Sequence, residues 1–199
     1  YAQLLAGGQP LFSYYLREFG GFDENGQTIY PNGDVQTFTG KSALPTTNLG
    51  ISTRVEYKNW DLSTFLTGQF GFYVYNNTEN AFFTAGALNS GSNVTRNVVG
   101  NGEAANNAPD VSTRFLEKGD FLRLQNATLG YNFDINEESF LKSLRLSLTG
   151  QNLFLITDYS GLDPEVNTDK SLNGIPTAGI EYTTYPRATT VTLGLNVSF

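Results

Sequence analysis

The sequence predicts an all-β chain, an antiparallel transmembrane β-barrel segment of about six long strands belonging to a larger barrel. Three observations predict it. The last stretch alternates strictly, with Thr189, Val191, Leu193, Leu195, Val197 and Phe199 on one face and Thr190, Thr192, Gly194, Asn196 and Ser198 on the other. That polar face holds only small neutral groups, where a water-soluble edge strand would carry protective Lys or Glu. Long and short connections also alternate along the chain, the asymmetry of outer-membrane barrels with short periplasmic turns and long outer loops.

Composition narrows the function classes. Gly, Asn, Thr, Phe and Tyr are abundant and Met is absent, a β-favouring mixture. Cys and His are both absent, which removes disulfides, thiolate chemistry, Ser-His hydrolysis and the commonest zinc ligands. No catalytic residue, cofactor or metal site is expected, and the carboxylates, Lys and Tyr that remain show no arranged acid–base pair. A net charge of −7 argues against nucleic acid, whose binding needs clustered Lys and Arg. Tyr1 to Gln9 lacks the basic start and apolar run of a signal peptide, and no apolar run approaches the roughly 20 residues of a spanning helix. The chain is therefore either water-soluble or crosses lipid with strands.

Each strand follows from its own pattern. After breakers at Gly7, Gly8 and Pro10, Leu11 to Phe19 places Phe12, Tyr14 and Leu16 opposite Ser13, Tyr15 and Arg17. Phe22 to Pro45 is a long loop with turns at Asn25-Gly26 and Asn32-Gly33 and a small hairpin near Gln27 to Tyr30. Leu49 to Tyr57 alternates cleanly and is separated by Lys58 and Asn59 alone from a run over Trp60 to Tyr75, a tight hairpin. Asn76 to Lys118 is a second long connection. In Phe121 to Phe133 the apolar phase is even at Leu122 and Leu124 and odd from Ala127 to Phe133, which predicts a β-bulge near Gln125 and Asn126. Asp134 to Ser143 is a turn, Leu144 to Ile156 a strand, and Thr157 to Tyr185 a third long loop before the closing strand. Six strands are fewer than the eight at which single-chain outer-membrane barrels begin, and an open edge is not tolerated in lipid. A larger barrel is expected.

At these residues the chain resembles the C-terminal end of the SusC/RagA family of TonB-dependent outer-membrane transporters. The resemblance is densest over Phe121-Leu122-Arg123-Leu124-Gln125-Asn126, Thr128-Leu129-Gly130-Tyr131, Gln151-Asn152-Leu153-Phe154, Tyr159 to Glu165, and Tyr185-Pro186-Arg187. Earlier matches are Gly8-Gln9-Pro10-Leu11, Tyr57 to Leu62 and Gly68 to Gly71. The resemblance implies that residues 1–199 are the C-terminal portion of a barrel of about 22 strands, with the plug domain and remaining strands absent from this chain. It also implies a bacterial outer-membrane location, energy through TonB acting on the plug, a SusD-like surface lipoprotein as lid, and oligosaccharides or peptides as substrates.

Candidate contacts sit at the two rims. Tyr73, Tyr75, Phe82 and Phe83 lie where a strand meets an outer loop and either stack on sugars or form an interfacial girdle. Tyr159, Asp163 and Glu165 join them as candidate outer-rim contacts to substrate or partner. Asp163-Pro164-Glu165 reads first as a Pro-anchored surface turn and second as two carboxylates near a sugar or calcium ion. Asn167, Asp169, Ser171, Asn173 and Gly174 have a calcium-loop rhythm without its closing Glu, which favours a solvated loop. Tyr57, Trp60, Phe133 and Phe199 read as the inner-rim girdle, Phe199 doubling as the tail that barrel-assembly machinery recognises in outer-membrane proteins generally. The inward Arg54, Glu56, Asp61, Arg123 and Arg145 either line a substrate path or contact a plug.

Two other classes compete. A soluble all-β carbohydrate-binding module would bury its apolar faces between two sheets, and a small self-contained pore would need at least two further strands. The facing separates them. A charge at Leu195 near mid-membrane should cost about 2–4 kcal/mol, far more than one at Asn196, in a reversible membrane-folding titration; equal costs would contradict the assigned faces.

Overall fold

The computed structural model describes residues 1–136, 138–166 and 174–199. In chain order its strands are β1 (Ser13–Leu16), β2 (Thr37–Ser42), β3 (Thr47–Tyr57), β4 (Trp60–Phe70), β5 (Tyr73–Asn76), β6 (Leu116–Lys118), β7 (Phe121–Asn132), β8 (Ser143–Thr157), β9 (Ile180–Glu181) and β10 (Thr190–Ser198). Two short helices, α1 (Asn77–Phe82) and α2 (Ala85–Asn89), follow β5. The chain divides into two compact units. The sheet unit comprises Thr47–Phe70, Asp120–Asp158 and Pro186–Phe199; the loop unit comprises Tyr1–Thr46, Gly71–Gly119 and Tyr159–Tyr185.

The sheet unit is one antiparallel sheet in the order β10-β8-β7-β4-β3. The two-residue turn at Lys58 and Asn59 closes β3 onto β4 with Tyr57 opposite Trp60, Lys58 taking φ +53°. The expected bulge is present: Asn126 of β7 pairs with Phe65 and Leu124 with Leu66, so Gln125 is the extra residue relative to β4. Against β8 the register shifts at the same place, with Asn152 and its φ of +51° on the β8 side. Asn tolerates that left-handed backbone better than most residues, and a bulge supplies the added twist and bend a closing sheet needs. At about 3.3 Å per residue, the 11 residues of β4 reach further than an ordinary soluble strand.

The strand count needs correction, from six long strands to five in this sheet. Leu11 to Phe19 does not join it: only Ser13–Leu16 is extended, and it pairs with β2. Ser13, Tyr14 and Leu16 are all buried, so this strand is covered on both faces, and Phe12 turns away at φ +55°. Period-2 alternation of large side chains identified a strand but not what covers its two sides. The run from Trp60 to Tyr75 is likewise two strands. Gly71 breaks it at φ +77°, where a Cβ would collide with the Thr46 side chain.

The three long connections were expected as loops, yet they fold together. β1 and β2 form one small sheet; β6, β5 and β9 form another, with β5 parallel to β9. The expected hairpin is there too: around the Asn25-Gly26 turn the Gly20 N–H donates to the Ile29 carbonyl at 2.8 Å and the Ile29 N–H to the Gly21 carbonyl at 2.9 Å. The core is built from Tyr14, Leu16, Ala43, Tyr75, Phe115, Leu116 and Ile180, contributed by all three long connections and the segment before them. Tyr14 Oη lies 2.9 Å from the Tyr73 carbonyl and 2.7 Å from that of Gly179. Gly179 must be glycine: it sits at φ +65°, and a Cβ there would come within 2.7 Å of the Tyr14 hydroxyl.

A buried ion pair fastens the longest connection. Arg114 donates Nη1 to Glu103 Oε1 and Nη2 to Oε2, both at 2.7 Å, with the Glu103 side chain fully enclosed. The rings of Phe19, Phe22 and Phe115 surround the guanidinium at 5.8, 5.0 and 4.8 Å. Asn107 and the Ala85 N–H also donate to Glu103, and Asn107 Oδ1 accepts from the Thr28 N–H of the first loop. Burial alone would raise the Glu103 pKa, but these partners hold it below the ordinary carboxylate value. A lowered folded pKa means the pair contributes fully above about 4.5, the unperturbed value, and fades as pH falls through the lower folded one. Glu103→Ala strands Arg114 without its counter-charge, a loss of about 3–5 kcal/mol. Limited proteolysis of residues 84–108 should therefore accelerate in that variant at neutral pH, and in the parent chain only in acid.

Candidate functional site

The sheet unit presents two chemically different faces. Val55, Leu62, Leu129, Leu148 and Leu193 fall in one cross-strand row, one from each strand, and all are 42–71% exposed. The row beside it holds Tyr57, Trp60, Tyr131, Leu146 and Leu195. On the opposite face, Arg54, Ser63, Thr128, Thr149 and Thr192 are in register, with the Thr128 and Thr149 hydroxyls 2.9 Å apart.

That second face carries an ion pair spanning a strand. Asp61 on β4 and Arg145 on β8 are separated by β7, yet Arg145 Nη2 donates to Asp61 Oδ1 at 2.8 Å and Nη1 to Oδ2. Gly130 of β7 makes this possible. It pairs with Asp61, and a Cβ there would fall on the Arg145 guanidinium and within 2.6 Å of Asp61 Oδ2. Arg54 and Glu56 pair with each other beside it at 2.6 Å. Arg123 is buried with its guanidinium 5.6 Å from the Phe121 ring. Asp61, Arg145, Arg54 and Glu56 thus form two ion pairs on this face.

Aromatic side chains mark the hairpin end of the sheet. Trp60 packs on Tyr131 with ring centroids 4.7 Å apart, and Tyr131 on Phe133 at 4.8 Å. Phe199 contacts Phe140 at 5.2 Å. Tyr57, Trp60, Phe133 and Phe199 are all substantially exposed. Tyr131 and Phe140 belong to this group and were not singled out from the sequence; Tyr131 was readable from its place two residues before Phe133, Phe140 was not.

The outer candidates separate by burial within the loop unit. Tyr75, Tyr159 and Asp163 are 1–5% exposed, so Asp163 does not present a carboxylate on a surface turn; it accepts from the Glu165 N–H at 2.9 Å. Tyr73 is half-buried beneath Lys41 Nζ, 4.6 Å from its ring centroid. Glu165 and Phe83 are half-buried, while Phe82 is 44% exposed and stacks on Tyr182 with centroids 5.9 Å apart. The calcium-like run from Asn167 to Asn173 lies outside the described residues. Among those described, no group of three His, Cys, Asp or Glu is placed to hold a metal ion, and no helix is long and apolar enough to cross a membrane.

No family model matches the chain. Over 201 residues it is 33% identical to a protein named TonB-dependent receptor SusC of Bacteroides thetaiotaomicron, covering 96% of this chain and 18% of that protein. It is 29% identical to TonB-dependent receptor P3 of Formosa agariphila, across 99% of this chain and 23% of the relative. The fold matches the structure of the RagAB peptide transporter with a TM-score of 0.75 and 22% identity, over 94% of this chain and 22% of that one. The chain is SusC/RagA-like, of the TonB-dependent transporter type. It spans about a fifth of the length of these relatives. In this SusC/RagA-like segment the all-β antiparallel architecture is that of a barrel fragment.

Gly130→Ala should displace the Arg145 guanidinium and lower the unfolding temperature of the sheet. Because Arg145→Met removes the same pair, the double variant should lose less than the sum of the two single losses. Additive losses would mean that Gly130 and the pair act independently.

Proposed function

We propose that this chain is the C-terminal portion of the barrel of an outer-membrane TonB-dependent importer, residues 1–199 forming part of the wall and its outer loops. The observation that carries the reading is the exposed row Val55, Leu62, Leu129, Leu148 and Leu193 opposite a face holding the Asp61–Arg145 pair. Apolar side chains outside and charge inside suit lipid on one side and a polar lumen on the other. A soluble carbohydrate-binding module would instead need that row covered by a second sheet.

Under this reading Tyr57, Trp60, Phe133 and Phe199 form the girdle at the periplasmic interface. The inward charged groups face the plug, which lies in the rest of the longer protein and through which TonB acts. The loop unit meets a SusD-like surface lipoprotein and the substrate, an oligosaccharide or peptide. Phe82, Phe83 and Tyr73 are the accessible contacts there, while Tyr75, Tyr159, Asp163 and Glu165 hold the loops that present them. The role is uptake, not catalysis.

The test uses the whole protein that contains this segment. After alkaline washing it should stay in the outer-membrane pellet, and purification in mild detergent should bring a surface lipoprotein with it. Recovery in the soluble fraction would overturn the membrane assignment; recovery from membranes without any lipoprotein would overturn the lid.

A further inference from the structure

The sequence holds four Asn-Gly steps, at Asn25, Asn32, Asn101 and Asn173, the last of which lies outside the described residues. Such a step carries its own reaction. The glycine backbone nitrogen attacks the Asn Cγ, since no side chain stands beside it and the two groups, joined in one chain, need no encounter. That nitrogen must first lose its proton, so it must not be committed to a hydrogen bond. The structure separates the three described steps on this point. The Gly26 N–H donates to the Asp23 carbonyl at 2.9 Å, and the Gly26 carbonyl accepts from the Ala104 N–H at 2.9 Å, which holds that residue from both sides. The Gly33 N–H donates to the Tyr30 carbonyl at 2.9 Å, while the Asn32 amide nitrogen donates to Glu18 Oε2 at 3.1 Å. The Gly102 N–H donates to no described residue.

The surroundings of Asn101 favour the same step. Asn101 and Gly102 are both exposed. Asn101 stands between Gly100 at φ +75° and Gly102 at φ +89°. A Cβ added at Gly100 would meet nothing within 4 Å, and one at Gly102 only Phe22 Cδ2 at 3.9 Å, so a ring closes there without displacing a neighbour. Asn101 Oδ1 also accepts from the Glu103 N–H at 2.9 Å. That oxygen takes up negative charge as Cγ becomes tetrahedral, and a donor already aimed at it stabilises the charge. The side-chain oxygens of Asn25 and Asn32 accept from no described residue.

We propose that Asn101-Gly102 is a self-modification site, at which the Asn101 side-chain amide is converted to a carboxylate in the folded protein while the fold protects Asn25 and Asn32. The Gly102 nitrogen gives its proton to solvent base and bonds to Cγ. The Cγ–Nδ2 bond breaks and, with a proton returned by solvent, ammonia leaves, closing a succinimide. Water then opens either ring carbonyl, giving aspartate or isoaspartate. Nothing is oxidised or reduced, and water is the only co-reactant. Position gives the reaction its consequence. Next but one in sequence is Glu103, the enclosed partner of Arg114, and the Ala104 N–H that follows ties this connection to Gly26. The aspartate product adds a negative charge close to the Glu103 carboxylate, which opposes its ionised form. The isoaspartate product routes the main chain through the former side chain, lengthening it and shifting both ties. The longest connection therefore loosens with age, in one direction only. This holds for the loop unit whether or not the importer reading stands.

The test is peptide mass mapping of the whole protein during incubation at mildly alkaline pH, folded in detergent and unfolded in urea, with isoaspartate measured by its enzymatic methylation. In the folded protein Asn101 should convert at least about tenfold faster than Asn25 or Asn32, and in urea the three should differ by less than about threefold. Aged protein should also be cut by trypsin within residues 84–108 faster than fresh protein. Asn101→Gln, whose longer side chain closes the corresponding ring far more slowly, should age without that gain; the site is exposed, so the replacement spares the core. No conversion at Asn101, equal conversion of the three sites in the folded protein, or a preference for Asn101 that persists in urea overturns the site. No gain in cleavage on ageing, or the same gain in Asn101→Gln, overturns the loosening.

Discussion

On a pleated strand successive side chains must face opposite ways, and hydrocarbon accepts no unpaired backbone donor or acceptor. Together these constraints organise the sheet unit. Five strands pair in register, so each residue's face is decided by its position along the strand, and the faces of all five agree across the sheet. Val55, Leu62, Leu129, Leu148 and Leu193 are one consequence, and the Thr128–Thr149 and Asp61–Arg145 contacts on the other side are the second. A slip of one residue anywhere would exchange the two sets.

The bulge shows how tightly this is specified. Without Gln125 as an extra residue, Leu122 and Leu124 would point to the same side as Thr128 and Gly130. With it, they return to the side of Leu129 and Tyr131. The bulge is thus what keeps one apolar surface continuous through a strand whose sequence changes phase. Gly130 answers a related demand on the polar side: one strand gives up its side chain so that charges on its two neighbours can meet across it.

Much of the sheet unit was legible because its information is local. Alternation gave β3, β4, β7, β8 and β10, the phase change gave the bulge, and Lys58-Asn59 gave the hairpin. The loop unit was less so. Nothing in Leu11 to Phe19 distinguishes a strand bordered by lipid from one enclosed by protein, because large side chains on one face suit both. The core that Tyr14, Tyr75 and Ile180 share joins segments more than 100 residues apart, and no periodicity records such a meeting. Asp61 and Arg145 are 84 residues apart, and alternation puts each on the polar face without showing that they meet; their pairing needs the register. Alternation and loop position carry no information about depth, so among the candidate aromatics Tyr75 and Tyr159 are buried while Phe82 is at the surface.

The most direct measurement of the central claim is the collision accessibility of nitroxide labels at Leu193 and Thr192 in the whole protein reconstituted into bilayers. Adjacent positions on one strand must sample opposite sides. Leu193 should be relaxed strongly by oxygen, which concentrates in lipid, and weakly by a water-soluble nickel chelate, while Thr192 should lack the oxygen response. Labels at both sites shielded from oxygen and nickel alike would place the Leu193 row inside a protein core and contradict the account.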